Sequence, residues 1–261
     1  MRFSKWHALG NAYLVIERDD LGGPLDGAGA RRLCDARYGI GADGVLEVCA
    51  VDGATAEIVI WNPDGSTAEL SGNGTRIAAR WLARRTGLDE VRIMVGPREV
   101  AARMLDSTQV ETGVGTVEVG EMETIEVLGE RVELTPVSVG NPHAVVRREY
   151  THEDLLALGP AIERHARFPQ RTNVQLVRVE GLNELTVAVW ERGAGETTAS
   201  GSSSVAAAAA AIANGWCESP VVVHMPGGDL VVAIDEENRA TLVGPAEEIA
   251  SGELAIGVTR S

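Results

Sequence analysis

Cysteine is nearly absent from this chain: three residues, Cys34, Cys49 and Cys217, in 261. They form no CxxC pair and leave an odd count, which argues against a disulfide framework and fits reduced thiols. The five histidines show no HxH or HxxxH spacing, so no metal site is expected. Basic residues are also in short supply, 23 Lys and Arg against 38 Asp and Glu, giving a formal charge of -15 and a pI near 4.8. That balance argues against nucleic acid and against a polybasic membrane-surface role, both of which need clustered cations. No stretch approaches the ~20 apolar residues of a membrane span. The opening, MRFSKWHALGNAYLVIE, lacks the charged, apolar and small-residue regions of a secretory leader. The expectation is a cytoplasmic globular protein, and 44% hydrophobic content is enough for one large core or two small ones.

Runs rich in Val and Ile predict strands at 12–17, 54–61, 124–134, 184–190, 219–225 and 229–235. Two segments read instead as helices entered by a small polar turn: GTRIAARWLARRTG (74–87) and SSVAAAAAAIANG (203–215), the second stopping at Gly215. Each follows a strand and a Ser-Gly step, so WNPDGSTAELSGNGTRIAARWLA parallels WERGAGETTASGSSSVAAAAAAI. A second echo, ALGNAYLV (8–15) and SVGNPHAVV (138–146), puts Gly-Asn ahead of an apolar run near the start of each half. The chain therefore reads as an internal duplication: two similar α+β domains divided within 112–130, taken as 1–118 and 119–261, with the last strand free to cross back to the first half.

The Ser-Gly turns are the first candidates for function. A turn of small residues entering a helix leaves backbone N–H groups unpaired with the positive end of the helix dipole behind them. Ser71-Gly72-Asn73-Gly74 and Ser200-Gly201-Ser202 are therefore expected to bind an anion, a carboxylate being the simplest. If the two halves face one another, both helix ends would serve one ligand. An ordinary serine N-cap is the alternative for either turn alone.

HALGNAYLVIE, CDARYGIGADGVL, NPDGSTAELSGNGTR, GNPHAVV, RTNVQLV and ERGAGETTASG, in this order, together resemble the signature series of diaminopimelate epimerase, and the resemblance covers nearly the whole chain. It implies a cofactor-independent isomerase with two similar domains, each a mostly antiparallel sheet wrapped around a central helix, and no pyridoxal phosphate or metal. In that family LL-diaminopimelate and the meso form, precursors for lysine and peptidoglycan, are interconverted. One group removes the α-proton and another returns a proton from the opposite face. Matching motif to motif, Ser71 and Ser200 fall on the two catalytic positions, supported by His143 and Glu191. Substrate contacts fall on Asn11, Asn62, Gly72, Asn73, Asn141, Asn173, Glu191, Arg192, Gly201 and Ser202. Asn offers both donor and acceptor to a zwitterion, and Arg192 a planar fork for a carboxylate; a turn or cap is the alternative for each Asn taken singly. A homodimer is implied as well.

The sequence departs from the family at several of these places. Serine replaces cysteine at 71 and 200, Ala12 follows Asn11 where an acid is usual, Gly44 lacks an amide side chain, and Ser202-Ser203 replaces Thr-Gly. A thiol ionises near pH ~8.5, and a serine hydroxyl is a far weaker acid. An unassisted exchange would slow proton abstraction by several orders of magnitude, and relays through His143 or Glu191 are the expected remedy. Two other readings stand beside this one: a relative that binds the substrate without turning it over, and a racemase or isomerase of the same fold with another substrate and a carboxylate base such as Glu191. Glu196 is read as either an ammonium contact or a solvated loop charge. Arg76, Arg80, Arg84 and Arg85 are read as the solvated face of the first helix, and HMPGGDL (224–230) as a hairpin turn.

Overall fold

In the computed structural model, which describes residues 1–254, the chain forms two compact units. The first is Met1–Thr112 with the described residues from Gly244 onward, and the second is Gly113–Val243. The first contains β1 (Arg2–Ala8), β2 (Asn11–Glu17), α1 (Arg18–Leu21), α2 (Gly27–Cys34), β3 (Gly44–Asp52), β4 (Thr55–Trp61), β5 (Thr67–Ala68), α3 (Gly72–Thr86), β6 (Glu90–Val95) and β7 (Arg98–Met104). The chain leaves it within β8 (Gln109–Thr116). The second contains β9 (Glu118–Val119), β10 (Glu123–Val127), β11 (Glu130–Ser138), β12 (Pro142–Arg147), α4 (His152–Glu163), β13 (Asn173–Gly181), β14 (Glu184–Glu191), β15 (Gly195–Thr197), α5 (Gly201–Ala213), β16 (Val221–Met225) and β17 (Gly228–Ile234). The chain returns within β18 (Arg239–Pro245) and ends its described part after β19 (Glu247–Glu253), which pairs with β1.

The duplication is visible in the strand pairing. In the first unit β1–β2 is an antiparallel hairpin, β2–β3 is parallel, β3–β4 and β4–β5 are antiparallel, β4–β6 is parallel and β6–β7 antiparallel. In the second, β11–β12, β12–β13, β13–β14, β14–β15, β14–β16 and β16–β17 repeat that series in the same order. Each parallel pair needs a crossover, supplied first by α2 or α4 and then by α3 or α5. Even an irregularity recurs: register shifts break β3–β4 at Val48/Ala50 and β13–β14 at Val179/Gly181.

The central helices differ in how much of their surface the sheet covers. In α3 every residue from Asn73 to Ala79 is buried, with Leu82 and Ala83, while Arg84 and Arg85 are exposed, so the helix opens one face only toward its C-terminal end. Arg84 lies over the Trp6 ring and pairs with Glu248; Arg85 lies over Trp81 and pairs with Glu17. In α5 every residue from Val205 to Ala211 is buried. Six consecutive alanines let strands approach on all sides, and their helix propensity keeps the segment helical without any polar face.

Both helices start two residues earlier than the sequence pattern suggests, because Ser71 and Ser200 are themselves the N-cap residues. α5 stops at Ala213 with Asn214 as its cap, and Gly215 lies beyond it at φ 68°. The run 124–134 is a hairpin, with Leu128 and Gly129 both at positive φ between β10 and β11, the geometry of a type I′ turn. HMPGGDL does turn a hairpin, joining β16 to β17. α4 escaped the strand and helix reading despite its capping box, in which Thr151 accepts from the Asp154 N–H and Asp154 from the Thr151 N–H.

Candidate active site

In the first unit the site is built on the β1–β2 turn and the start of α3. Leu9 and Gly10 turn the hairpin at φ 52° and 84°, which makes Asn11 the first residue of β2. Alternation along a strand then puts Asn11 and Tyr13 on one face. Ser71 Oγ accepts the Gly74 N–H at 3.0 Å and lies 3.1 Å from the Tyr13 hydroxyl, where either oxygen can donate. Thr75 N–H closes on the Ser71 carbonyl at 2.8 Å. The N–H groups of Gly72 and Asn73 have no partner among the described residues, so they stand at the positive end of the helix for a ligand.

Beneath this turn lies Arg76, with no accessible surface at all; the expectation of a solvated residue is wrong here and holds only for Arg84 and Arg85, with Arg80 half-buried. Arg76 donates to the Gly72 carbonyl at 3.2 Å and to Asn73 Oδ1 at 2.6 Å. A guanidinium has only donors, so it fixes the Asn73 amide with Nδ2 turned away, toward Asn11 Oδ1 at 3.5 Å. Burial pulls the Arg76 pKa down to about 10, which leaves it charged at neutral pH. The backbone at Ala12 is held by Asp43, whose carboxylate accepts the Ala12 N–H at 2.8 Å. Asn62 closes the NPDGS turn, its Nδ2 donating to Ser66 Oγ at 2.9 Å.

In the second unit the corresponding turn, with Gly140 at φ 83°, puts Asn141 just ahead of β12 and His143 on the face that Tyr13 takes in β2. His143 is 1% exposed. Gln175 Nε2 donates to its Nδ1 at 3.0 Å, so Nε2 carries the hydrogen and donates to Asn141 Oδ1 at 3.0 Å. Burial pulls the imidazole pKa down to about 3, with the hydrogen bond from Gln175 opposing and Arg192 assisting. His143 is therefore neutral, and it orients Asn141 as much as Asn141 orients it.

Ser200 is 6% exposed and caps α5 only through its carbonyl, which accepts the Ser204 N–H at 3.0 Å and the Ser204 hydroxyl at 2.9 Å. Its own hydroxyl makes no capping bond and lies near enough to Glu191 to lower the pKa of that carboxyl. Burial raises the Glu191 pKa, and the Ser200 hydroxyl offsets part of the rise. The N–H groups of Gly201, Ser202 and Ser203 lack partners among the described residues. The ERGAG loop that carries Glu191 is pinned from behind. Glu163, 2% exposed, accepts from Gly193 N–H at 2.9 Å, Trp190 Nε1 at 2.9 Å and Arg171 at 3.2 Å. Asn173 accepts the Arg192 N–H at 2.9 Å and donates to the Pro142 carbonyl at 3.0 Å. Arg192 itself is exposed and touches the Gln170 carbonyl at 3.3 Å.

The sequence profile of the family described as Diaminopimelate epimerase matches residues 3–122 and 135–249. Diaminopimelate epimerase 2 of a Nostoc species is 37% identical over 276 residues, covering 98% of this chain and 96% of that protein. Diaminopimelate epimerase of Moorella thermoacetica is 38% identical over 282 residues, covering 98% and 100%. The chain belongs to the diaminopimelate epimerase family. Solved structures carry the same fold at much lower identity: a predicted epimerase from Pseudomonas aeruginosa has a TM-score of 0.73 at 18% identity, covering 98% of this chain and 99% of that one. A probable proline racemase from Agrobacterium radiobacter with bound carbonate has a TM-score of 0.70 at 15% identity, covering 98% and 93%.

Within this diaminopimelate epimerase fold the motif residues gather into two groups, one per unit. Asn11, Gly72 and Asn73 surround Ser71; Asn141, His143 and Asn173 form one connected set, and Glu191, Gly201 and Ser202 surround Ser200. Asn62 and Asn173 spend their side chains on structure, Asn62 on its own turn and Asn173 on the loop at Arg192. Glu196 pairs with the exposed His152 at 3.0 Å, which is the surface reading. Burial raises the thiol pKa of Cys34, to about 11, and those of Cys49 and Cys217 as well, so these thiols stay protonated near neutrality. Tyr13, Asp43, Arg76, Glu163 and Gln175 were not among the sequence candidates. Tyr13 and Gln175 each lie two residues after a residue that was, and strand alternation was the signal for both.

Proposed function

We propose that this protein interconverts LL- and meso-2,6-diaminopimelate by two-base proton transfer at the α-carbon, with no cofactor, Ser71 and Ser200 holding the two acid/base positions. The observation that carries the reading is that the Ser71 hydroxyl lies 3.1 Å from the Tyr13 phenol and Ser200 lies near Glu191, each at the start of a helix, in a chain of the diaminopimelate epimerase family. A lone serine cannot do this chemistry near neutrality, but a serine backed by a base can. Glu191 supplies that base: as Ser200 Oγ takes the α-proton, the serine's own proton passes to the Glu191 carboxylate. Burial raises the Glu191 pKa, which makes the carboxylate a better proton acceptor.

The unpaired N–H groups at the starts of α3 and α5 suit the α-carboxylate and the negative charge that develops as the proton leaves. Buried Arg76 adds fixed positive charge behind the Gly72–Asn73 end. Asn11, Asn73 and Asn141 offer amides to the zwitterion, and exposed Arg192 offers a fork to the distal carboxylate. His143, neutral and fully engaged, positions Asn141. The reading also places the enzyme in lysine and peptidoglycan precursor synthesis in the cytoplasm, as a homodimer. Incubation with LL-diaminopimelate followed by chiral chromatography tests it: the meso form should accumulate toward a fixed ratio and the reverse reaction reach the same ratio. Proline or hydroxyproline turning over while diaminopimelate does not would overturn the substrate assignment.

A further inference from the structure

Glu191 stands behind Ser200, whereas among the described residues the Ser71 hydroxyl meets no carboxylate; what touches it is the Gly74 N–H and the Tyr13 phenol. Tyr13 is 7% exposed, in the middle of β2, between Trp6 on β1 and Gly44 on β3. The position of its ring depends on Gly44. A Cβ there would fall 2.5 Å from Tyr13 Cε1, 2.9 Å from Cδ1 and 2.7 Å from the Trp61 carbonyl oxygen. Any larger residue at 44 forces the ring or the strand to move, so the glycine and the tyrosine together set where the phenol meets Ser71. Asp43 and Ala12, bonded to each other through both backbone and side chain, fix the strand segment that carries the ring.

We infer that Tyr13 is a proton-relay residue that acts through Ser71, giving the first unit the assistance that Glu191 gives the second. When Ser71 acts as the acid, its O–H bond breaks toward the substrate carbanion and a C–H bond forms. At the same time the Tyr13 O–H bond breaks, its proton moves to Ser71 Oγ, and the electron pair stays on the phenolate. In the reverse direction Ser71 Oγ takes the α-proton, the C–H pair stays on carbon, and the serine's original proton goes to the phenolate. A phenol ionises near pH ~10, so it is a far better place for the negative charge than a serine alkoxide. Over one turnover a proton passes to Glu191 and another leaves Tyr13, so the total charge of the protein and substrate is unchanged. Tyr13 does not touch the substrate in this account; it is a positioning residue whose effect requires a hydroxyl at 71.

The inference rests on the epimerase reading above, and the test separates the two. Tyr13→Phe keeps the ring and removes only the oxygen. Rates of diaminopimelate epimerisation are measured for the unmodified protein, Tyr13→Phe, Ser71→Cys and the combined variant, each checked for an unchanged thermal midpoint. With Ser71 in place, Tyr13→Phe should lower kcat by about 10²-fold, within the range for a lost acid or base, and leave KM within about threefold. In the Ser71→Cys background, where the thiol ionises without help, the same change should cost at least tenfold less. A merely structural tyrosine would lower both backgrounds equally, and that result overturns the relay. A change in KM alone overturns it too. Failure of the double Ser71→Cys, Ser200→Cys variant to turn over diaminopimelate would remove the epimerase reading and the relay with it. Turnover by that double variant without turnover by the unmodified protein would overturn both the relay and the acid/base roles of Ser71 and Ser200, whereas an equal loss in both backgrounds overturns the relay alone.

Discussion

The two halves of this chain repeat one chain path and fill it with different chemistry. Two residues after the Gly-Asn turn, the first half has Tyr13 and the second His143; across the parallel pair they meet Gly44 and Asn173 respectively. Tyr13 reaches the helix-start serine of its own unit. His143 is closed off by Asn141 and Gln175, and the serine of its unit turns to Glu191 on a different strand. Ser71 caps its helix with its hydroxyl and Ser200 does not. The duplication thus conserves where a serine and a helix end are presented, and leaves open which neighbour assists the serine. One feature of the support is held in common: β4 ends in Trp61 and β14 has Trp190 one residue before its end, and each indole donates to a buried glutamate, Trp61 to Glu47 at 3.0 Å and Trp190 to Glu163 at 2.9 Å. Each of those glutamates also pairs with an arginine, Arg18 or Arg171.

Activity should separate the halves most. Glu191→Gln should lower epimerisation by about 10²- to 10⁴-fold, measured as kcat, because the amide cannot accept the serine proton. It should not lower stability at neutral pH. The Glu191 pKa is raised by burial, so the cost of ionising it in the folded state is absent below its unfolded pKa and grows as pH rises through the folded one. A variant that loses stability at pH 7 would show that Glu191 is mainly a structural anchor.

Next in size, Glu47→Ala and Glu163→Ala should each cost about 1–3 kcal/mol in urea unfolding, since each leaves a half-buried tryptophan N–H without its acceptor. Unequal losses would mean that the two supports are alike only in outline. Acid should then act on the second unit. His143 has a folded pKa of about 3 against an ordinary value near ~6.5, so the unfolded chain takes up its proton first. The stability it contributes is complete above pH ~6.5 and is lost as pH falls toward the folded value. Thermal midpoints against pH should show a one-proton slope in that window, flattened in His143→Gln. The smallest effect distinguishes the serines themselves: Ser71→Ala should cost about 1 kcal/mol through its lost N-cap, and Ser200→Ala less than half of that.

Much of this was legible in the sequence. The two small-residue turns before apolar helices gave the duplication and both serines, and the Gly-Asn echo gave the matching hairpins at Asn11 and Asn141. Arg76 was misread because helical spacing with Arg80, Arg84 and Arg85 looks like a solvated stripe; its burial follows from a first helical turn pressed against the sheet, which spacing does not report. Glu163 sits at the far end of α4, 28 residues before Glu191, and nothing local links it to the loop it holds. The Tyr13–Ser71 bond joins residues 58 apart in sequence, and only the parallel pairing of β2 with β3 and the glycine at 44 bring it about.

The central claim is that assisted serines can move the α-proton. Proton NMR of LL-diaminopimelate in D₂O, following loss of the α-proton signal, tests it most directly, with the Ser71→Cys, Ser200→Cys double variant alongside. The account predicts exchange by the unmodified protein above a heat-inactivated control and faster exchange by the double variant. Exchange by the double variant alone would contradict it, because the serines and their partners would then hold the substrate without doing the chemistry.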